Sequence, residues 1–254
     1  MILKSADDRS TDLAALQALL DHPDATASTR RHIGQEMRNI RHGAKGENDA
    51  AYQINFHFGQ SPNWAIIHDI RIETEHHVAQ IDHILMNRLL DVWVCETKQF
   101  SGGLAINDFG ECTTFLNGNR PQAIASPIEQ NRNHCALLQA LFDDPGFPLP
   151  TRAGFRIRPS IRSAILISPR TRFTRPKTKI DGIDSILKTD QIKTHIDKKF
   201  DDNPLLLVKL VSSATLMELA AFMVGLHCPK QFNWPGKFGL SEATAKREAV
   251  VAGR

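Results

Sequence analysis

The sequence predicts an α/β protein, and three observations carry that prediction. Three apolar runs of strand length follow one another: Trp64 to Ile72 (with Ile66, Ile67 and Ile70), Ala79 to Met86, and Asp91 to Lys98. An amphipathic stretch from Gly46 to Phe58 precedes them, with Ala51, Ile54 and Phe58 at the three- and four-residue spacing of one helix face. After them, Ser126-Pro127-Ile128-Glu129 opens a helix, with Ser as N-cap, Pro at the first helical position and Glu closing a capping box.

The chain has 254 residues, enough for one sizeable core. At 41% hydrophobic and 23% charged residues it has the composition of an ordinary globular protein. Its net charge of +3 does not by itself point to a polyanionic partner. Cys95, Cys112, Cys135 and Cys228 show no C-x-x-C spacing, which excludes a zinc ribbon or redox motif and fits reduced thiols in a cytoplasmic protein. The first twenty residues carry Asp7, Asp8 and Asp12 and no apolar core, so no signal peptide is expected. Lys209 and Glu218 interrupt the apolar segment Leu205 to Leu226, which is read as a buried helix at 204–226 rather than a membrane span.

In chain order, residues 1–42 form an N-terminal helical extension. It holds a helix beginning near Ser10 and a second, polar one from about Ser28 to Arg41 that Gly43 breaks. Residues 43–145 form the core. There Glu47 stands four residues before Ala51, at the end of the inward helix face, and Leu104 to Ile106 with Phe115-Leu116 make a further hairpin. Residues 146–240 hold a basic region with a buried strand at Ser163 to Ser168, then helices at 189–200 and 204–226, and 241–254 form a polar tail.

The second and third strands carry charge where a core strand should not. Alternation puts Asp82, Ile84 and Met86 on one face, and Val92, Val94, Glu96 and Lys98 on one face of the next strand. The simplest register pairs Met86 with Val92, Ile84 with Val94, and therefore Asp82 with Glu96. Facing carboxylates repel, and burial raises the cost. A cation must offset them: either Lys98, in a salt-bridged sheet edge with nothing bound, or a hard divalent ion that takes oxygen ligands. The residues leave both open.

The order Gly46-Glu47, Gln80-Ile81-Asp82-His83, Glu96-Thr97-Lys98 and Pro127 to Gln130-Asn131 resembles the nuclease-related domain (NERD) family, placed in the PD-(D/E)XK nuclease superfamily. The match covers roughly residues 43–142, and the Asp82-to-Glu96 spacing is its most specific part. The resemblance implies a restriction-endonuclease-like core: a mixed central sheet flanked by helices, with extra N- and C-terminal helices. It implies that Asp82, Glu96 and the Thr97 backbone carbonyl hold Mg²⁺ (or Mn²⁺). Lys98 would activate the attacking water, Glu47 would position that water or a second ion, and Gln130 would stand near the site. Gln99 follows Lys98 where the family usually has Asn. The activity implied is Mg²⁺-dependent hydrolysis of DNA in DNA processing or defence. The alternative is a non-catalytic nucleic-acid-binding or scaffold protein that retains the fold.

The stretch Thr151 to Ile180 contains no acid and carries Arg152, Arg156, Arg158, Arg162, Arg170, Arg172 and Arg175, besides Lys177 and Lys179. It is read either as a phosphate-neutralising surface or as a solvated basic loop. Nucleic acid, DNA before RNA, is the partner expected, with no membrane. His76 and His77 are expected in an exposed connector, His83 as a hydrogen-bonded structural histidine, Trp93 in the core and Trp234 as a packing anchor.

Overall fold

The computed structural model describes residues 1–74, 77–116, 120–201 and 209–240. The tail 241–254, His76 of the connector and residues 204–208 of the expected helix lie outside these. The described residues fall into two compact units: Met1–Ala6 with Lys45–Cys228, and Asp7–Ala44 with the chain from Pro229 on. The basic region therefore belongs to the same unit as the core, whereas residues from Pro229 group with the N-terminal helices.

In the first unit a six-stranded mixed sheet runs in the order β1 (Ile2–Lys4), β2 (Trp64–Glu73), β3 (Val78–Asn87), β4 (Asp91–Lys98), β10 (Ser160–Ile167), β12 (Ile186–Lys188). The β2–β3–β4 meander is antiparallel, while β1, β10 and β12 join by parallel pairing. A second sheet contains β5 (Leu104–Ile106), β6 (Cys112–Leu116), β7 (Arg120–Ile124) and β11 (Phe173–Thr174). A small hairpin, β8 (Thr151–Arg152) and β9 (Phe155–Arg156), turns through Ala153 and Gly154, both with positive φ, the conformation that tight hairpin turns require.

Strand alternation sorts the core into two layers. Val92 and Val94 pack with Leu138 and Phe142 of α3 (Pro127–Asp143) and with Leu216 and Met223 of α5 (Ser213–Gly225). On the opposite face Trp93 and Cys95 pack with Ile54 and Phe58 of α2 (Ala27–Phe58), and with Ile192 and Ile196 of α4 (Ile192–Asp201). Trp93 is thus core, as expected. The α3 start is as expected, with Ser126 Oγ accepting from the Glu129 backbone N–H at 3.4 Å, but Glu129 does not close a capping box: its Oε1 accepts from Arg132 Nη1 at 2.8 Å.

Three helical expectations need correction. The helix expected from residue 204 is α5, which starts only at Ser213 behind the Ser212 N-cap; residues 209–212 are not α-helical. Gly43 does not break the second helix; α2 is one helix of 32 residues that passes through both Gly43 and Gly46. A helix-interior glycine costs only about 1 kcal/mol relative to alanine, which a continuous buried face easily offsets. The inward face is Gly46, Ala50, Ile54 and Phe58, all buried, one position round from the expected Ala51.

The second unit holds α1 (Ser10–Leu20) and α6 (Trp234–Lys237). Trp234 is an anchor there: it is buried with Leu16 and Ile33, and its indole N–H donates to Asp12 at 2.8 Å.

Candidate active site

The observed β3–β4 register pairs Met86 with Val92 and Ile84 with Val94, as alternation predicted. The next expected pair does not form. The ladder ends at His83–Cys95, and the Thr97 backbone N–H donates to the Asp82 carboxylate at 2.7 Å instead. On the other side, the β2–β3 ladder skips Asp69 opposite Asp82, because Asp69 adopts φ 51 in the middle of β2. Asp82 is therefore outside the ladder on both flanks. A left-handed residue inside a strand costs on the order of 1–3 kcal/mol and clusters at functional sites. It is held here by Gln80 Nε2 on Asp69 Oδ1 at 2.8 Å and by Lys4 Nζ on the Asp69 carbonyl at 2.8 Å.

Glu96 is buried on the α3 face. Its Oε1 accepts from Gln130 Nε2 at 2.8 Å and faces Lys98 Nζ at 2.7 Å. Its Oε2 is buried with no hydrogen-bond partner. Burial pushes the Asp82 carboxyl well above its ordinary range; Glu96 and then Glu47 push it further, against the opposing Thr97 N–H and Lys98. The structure thus brings together Glu47, Asp82, Glu96, Thr97, Lys98 and Gln130, although Glu47 comes from the helix layer on the opposite face. Gly46 permits this approach: a Cβ there would sit 2.3 Å from Gln99 Cγ, just past Lys98.

A buried polar chain backs the site. Thr97 Oγ1 lies 3.2 Å from His83 Nε2, His83 Nδ1 lies 2.8 Å from His68 Nδ1, and His68 Nε2 lies 3.0 Å from Asn55 Oδ1. One proton arrangement satisfies all three contacts: Thr97 O–H donates to His83, His83 Nδ1–H to His68, and His68 Nε2–H to Asn55. Both rings must be neutral for this. Burial lowers His83 well below its ordinary value, and burial with Lys4 lowers His68 to about 4. His83 is the structural histidine expected, and its partner His68 went unread.

The basic stretch is divided. Residue pairing along β4 and β10 runs from Asp91–Ser160 at one end to Lys98–Ile167 at the other, roughly 23 Å at strand rise. Arg170 and Arg172 follow β10 at the Lys98 end and are exposed. Arg152, Arg156, Arg158 and Arg162 belong to the Asp91 end. There Arg156 Nη2 donates to the carbonyls of Asp144 at 2.8 Å and Phe147 at 2.9 Å, capping the end of α3. Arg162 pairs with Asp91, and Arg152 reaches the Leu210 carbonyl. Arg175 donates to the carbonyls of Ile183 and Ile186, with its guanidinium over Phe173. The structure does not bring the seven arginines into one surface around the acids. Sequence reading counted charges; it had no signal for the carbonyls that consume them.

His134 was missed. It is buried, one helical turn after Gln130 on the same α3 face, and its Nδ1 lies 3.5 Å from Glu96 Oε2. The i, i+4 spacing from Gln130 would have placed it. Both residues border a cleft of about 530 Å³ between α3 and the His77–Ala79 end of β3.

Among the described residues no three His, Cys, Asp or Glu side chains are gathered so as to hold a metal ion by themselves. The donor set still fits a hard divalent ion. Such an ion needs one or two carboxylates and completes its shell with water and phosphate oxygens, and Asp82 with the bare Glu96 Oε2 supplies them.

A mixed sheet between helix layers, with acids and a lysine at the frayed end of a central hairpin, defines a nuclease-like α/β protein. The chain belongs to the nuclease-related domain family, whose model matches residues 42–168. That family's placement in the PD-(D/E)XK superfamily is consistent with the fold. No curated protein and no solved structure matches the chain. Among the described residues no helix is long and apolar enough to cross a membrane.

Proposed function

We propose that the chain is a divalent-metal-dependent nuclease that hydrolyses phosphodiester bonds in DNA. Asp82, Glu96 and the Thr97 carbonyl would hold Mg²⁺. The observation that carries this reading is Asp82 withdrawn from both strand ladders and facing a buried Glu96 whose Oε2 has no partner. A folded protein does not retain mutually repelling, half-satisfied carboxylates without something to offset them.

When bound, the ion supplies Lewis acidity and a more acidic bound water. The chain's own groups do the rest. Gln130 fixes the Glu96 rotamer, the Thr97 N–H fixes Asp82, and the His83–His68–Asn55 chain fixes Thr97 between them. Lys98, two residues from Glu96 on the same face, is placed to orient the attacking water and to stabilise charge that develops on the phosphoryl oxygens. Glu47 positions that water from the helix side. Arg170 and Arg172 flank the same end of the sheet and are the stretch's best-placed phosphate contacts.

The test incubates plasmid, linear and single-stranded DNA, and RNA, with Mg²⁺ or Mn²⁺ and with chelator. Cleavage is expected only with metal and falls by about a hundredfold or more in Lys98→Ala and Glu96→Ala. No metal-dependent cleavage on any substrate sinks the reading. DNA retained in a gel shift without cleavage would replace it with the second reading, a nucleic-acid-binding module that keeps the fold. Lys98 Nζ against Glu96 Oε1 favours that module, since it already neutralises one carboxylate.

A further inference from the structure

Two side chains of α3 that reach Glu96 also border a cleft that hydrolysis itself does not use. Gln130 Nε2 donates to Glu96 Oε1 at 2.8 Å, and His134 Nδ1 lies 3.5 Å from Glu96 Oε2. Both line the cleft of about 530 Å³ between α3 and the start of β3. Its volume falls in the range of roughly 300–1,000 Å³ typical of small-molecule sites. The strand wall is apolar: Val78 is 59% exposed at this edge, and Ala79 is buried beside it. The helix wall is shallow, since Ala136 and Ala140 stand one turn apart on α3 and present only methyl groups. The polar groups Gln130, Asn133 and His134 gather at the end nearest Glu96. Among the described residues no lysine or arginine lines the cleft.

Apolar walls, one polar end and no cation suit a nucleobase, which has two apolar faces and a hydrogen-bonding edge. A phosphate calls for arginine or lysine, and the exposed Arg170 and Arg172 belong to the β10 side of the site. We propose that this cleft receives one unpaired nucleobase of the strand whose phosphate lies at Glu96, so that the preferred substrate is single-stranded or frayed DNA. The faces of the base pack between Val78 and the Ala136–Ala140 surface. Its edge meets the Asn133 amide and, with Nδ1 turned toward Glu96, the Nε2 of His134. A paired base is stacked on its neighbours with its Watson–Crick edge taken, so it enters only after unpairing. A single strand does not incur that cost.

The inference rests on the nuclease reading for its scissile phosphate, but its test is read as binding. Affinities of the full chain are measured in chelator for a single-stranded oligonucleotide, for the same strand made abasic throughout, and for its duplex. Ala136→Leu and Ala140→Leu, both at exposed helix positions, fill the cleft away from Glu96. Single-strand affinity is expected to fall by about fivefold or more in each. The melting temperature should hold, and abasic and duplex affinities should change little. Equal wild-type affinity for intact and abasic strands, no loss in either filled variant, or an equal loss for the duplex overturns the inference. If the variants fail to fold, an iodouracil-substituted single strand is photocrosslinked to the wild type and the attachment mapped by mass spectrometry. Attachment within residues 77–79 or 130–140 supports the cleft, and attachment only elsewhere overturns it. A chain that binds single strands through the cleft yet cuts nothing with metal fails the nuclease reading alone. One that cuts with Mg²⁺ while its binding ignores the filled cleft fails this inference alone.

Discussion

Strand β4 carries a buried carboxylate at each end, and the two ends treat it in opposite ways. At the first, Asp91 is 2% exposed and its Oδ1 meets Arg162 Nε at 2.6 Å, with the guanidinium 5.7 Å from the Trp93 ring centre. That pair is closed: its cation comes from the neighbouring strand β10, where Arg162 stands opposite Trp93, and lies over that ring. At the second end Glu96 is equally buried, but one oxygen carries two donors and the other carries none. Asp82 and Glu47 add negative charge there. Burial of charge alone therefore does not mark a functional site. The mark is a buried charge that the protein leaves partly unsatisfied.

The largest expected effects break this contrast directly. Arg162→Ala leaves Asp91 buried without its cation and should lower unfolding free energy by about 3 kcal/mol, measured by denaturant titration. Lys98→Ala removes the corresponding cation from the open end; Lys98 is about as exposed as Arg162, 28% against 25%, but there Gln130 still holds Glu96. That change should cost less than Arg162→Ala does while abolishing cleavage. Equal destabilisation by the two substitutions would dissolve the distinction between closed and open ends.

The next effect concerns the chain behind Thr97. His68 is lowered to about 4 from its ordinary value near 6.5. Between those values the unfolded chain binds a proton that the folded protein refuses, so stability is lost as pH falls through this window and levels off below it. The loss attributable to His68 is on the order of 2–3 kcal/mol. Thermal unfolding from pH 7 to pH 4 should show a slope that flattens in His68→Gln, with His83 retaining part of it. An unchanged slope would mean that the histidine pair is not held neutral by burial.

How much of this could be read from the sequence follows from which interactions are local. Alternation along β3 and β4 gave the Met86–Val92 and Ile84–Val94 pairs, and the Ser126 cap gave the start of α3, because both depend on neighbouring residues. The Asp82–Glu96 pair failed because it assumed an uninterrupted ladder; the Asp82 carboxylate takes the Thr97 N–H, and on the other flank Asp69 turns left-handed, which its residue type tolerates but does not announce inside a strand. The continuity of α2 through Gly43 was lost by treating one glycine as a stop rather than a small cost. The arginine stretch was legible as charge. Its division between two ends depends on which carbonyls fold against it, such as those of Asp144 and Ile183.

A smaller effect tests the open end from the acid side. Burial and the neighbouring carboxylates raise Asp82, so the metal-free fold disfavours its charged form. Its contribution to stability is present below the unfolded value near 3.8 and is lost as pH rises through the raised folded value. Asp82→Asn keeps an acceptor for the Thr97 N–H and removes the titration. The metal-free variant should therefore melt higher than wild type at neutral pH, and added divalent ion should raise the wild-type melting temperature but not the variant's. A variant that melts lower would mean that the carboxylate is satisfied where it stands, as Asp91 is.

The smallest effect sharpens the comparison at the helix that brings Glu47 in. Gly46→Ala places a methyl group 2.3 Å from Gln99 Cγ and 2.5 Å from Gln99 Nε2. The neighbour is the far end of a flexible side chain, so Gln99 can swing away, and the lost contact is opposed by the roughly 1 kcal/mol that alanine gains over glycine inside a helix. Net stability should change by less than about 1 kcal/mol. The site has less freedom, because Gln99 directly follows Lys98 and its displacement disturbs the backbone that presents Lys98 beside Glu96. Cleavage should therefore fall more than stability does, with the larger change in kcat rather than KM. A loss of activity that merely tracks a loss of stability would show that Gly46 serves packing alone, as the residues around Asp91 do.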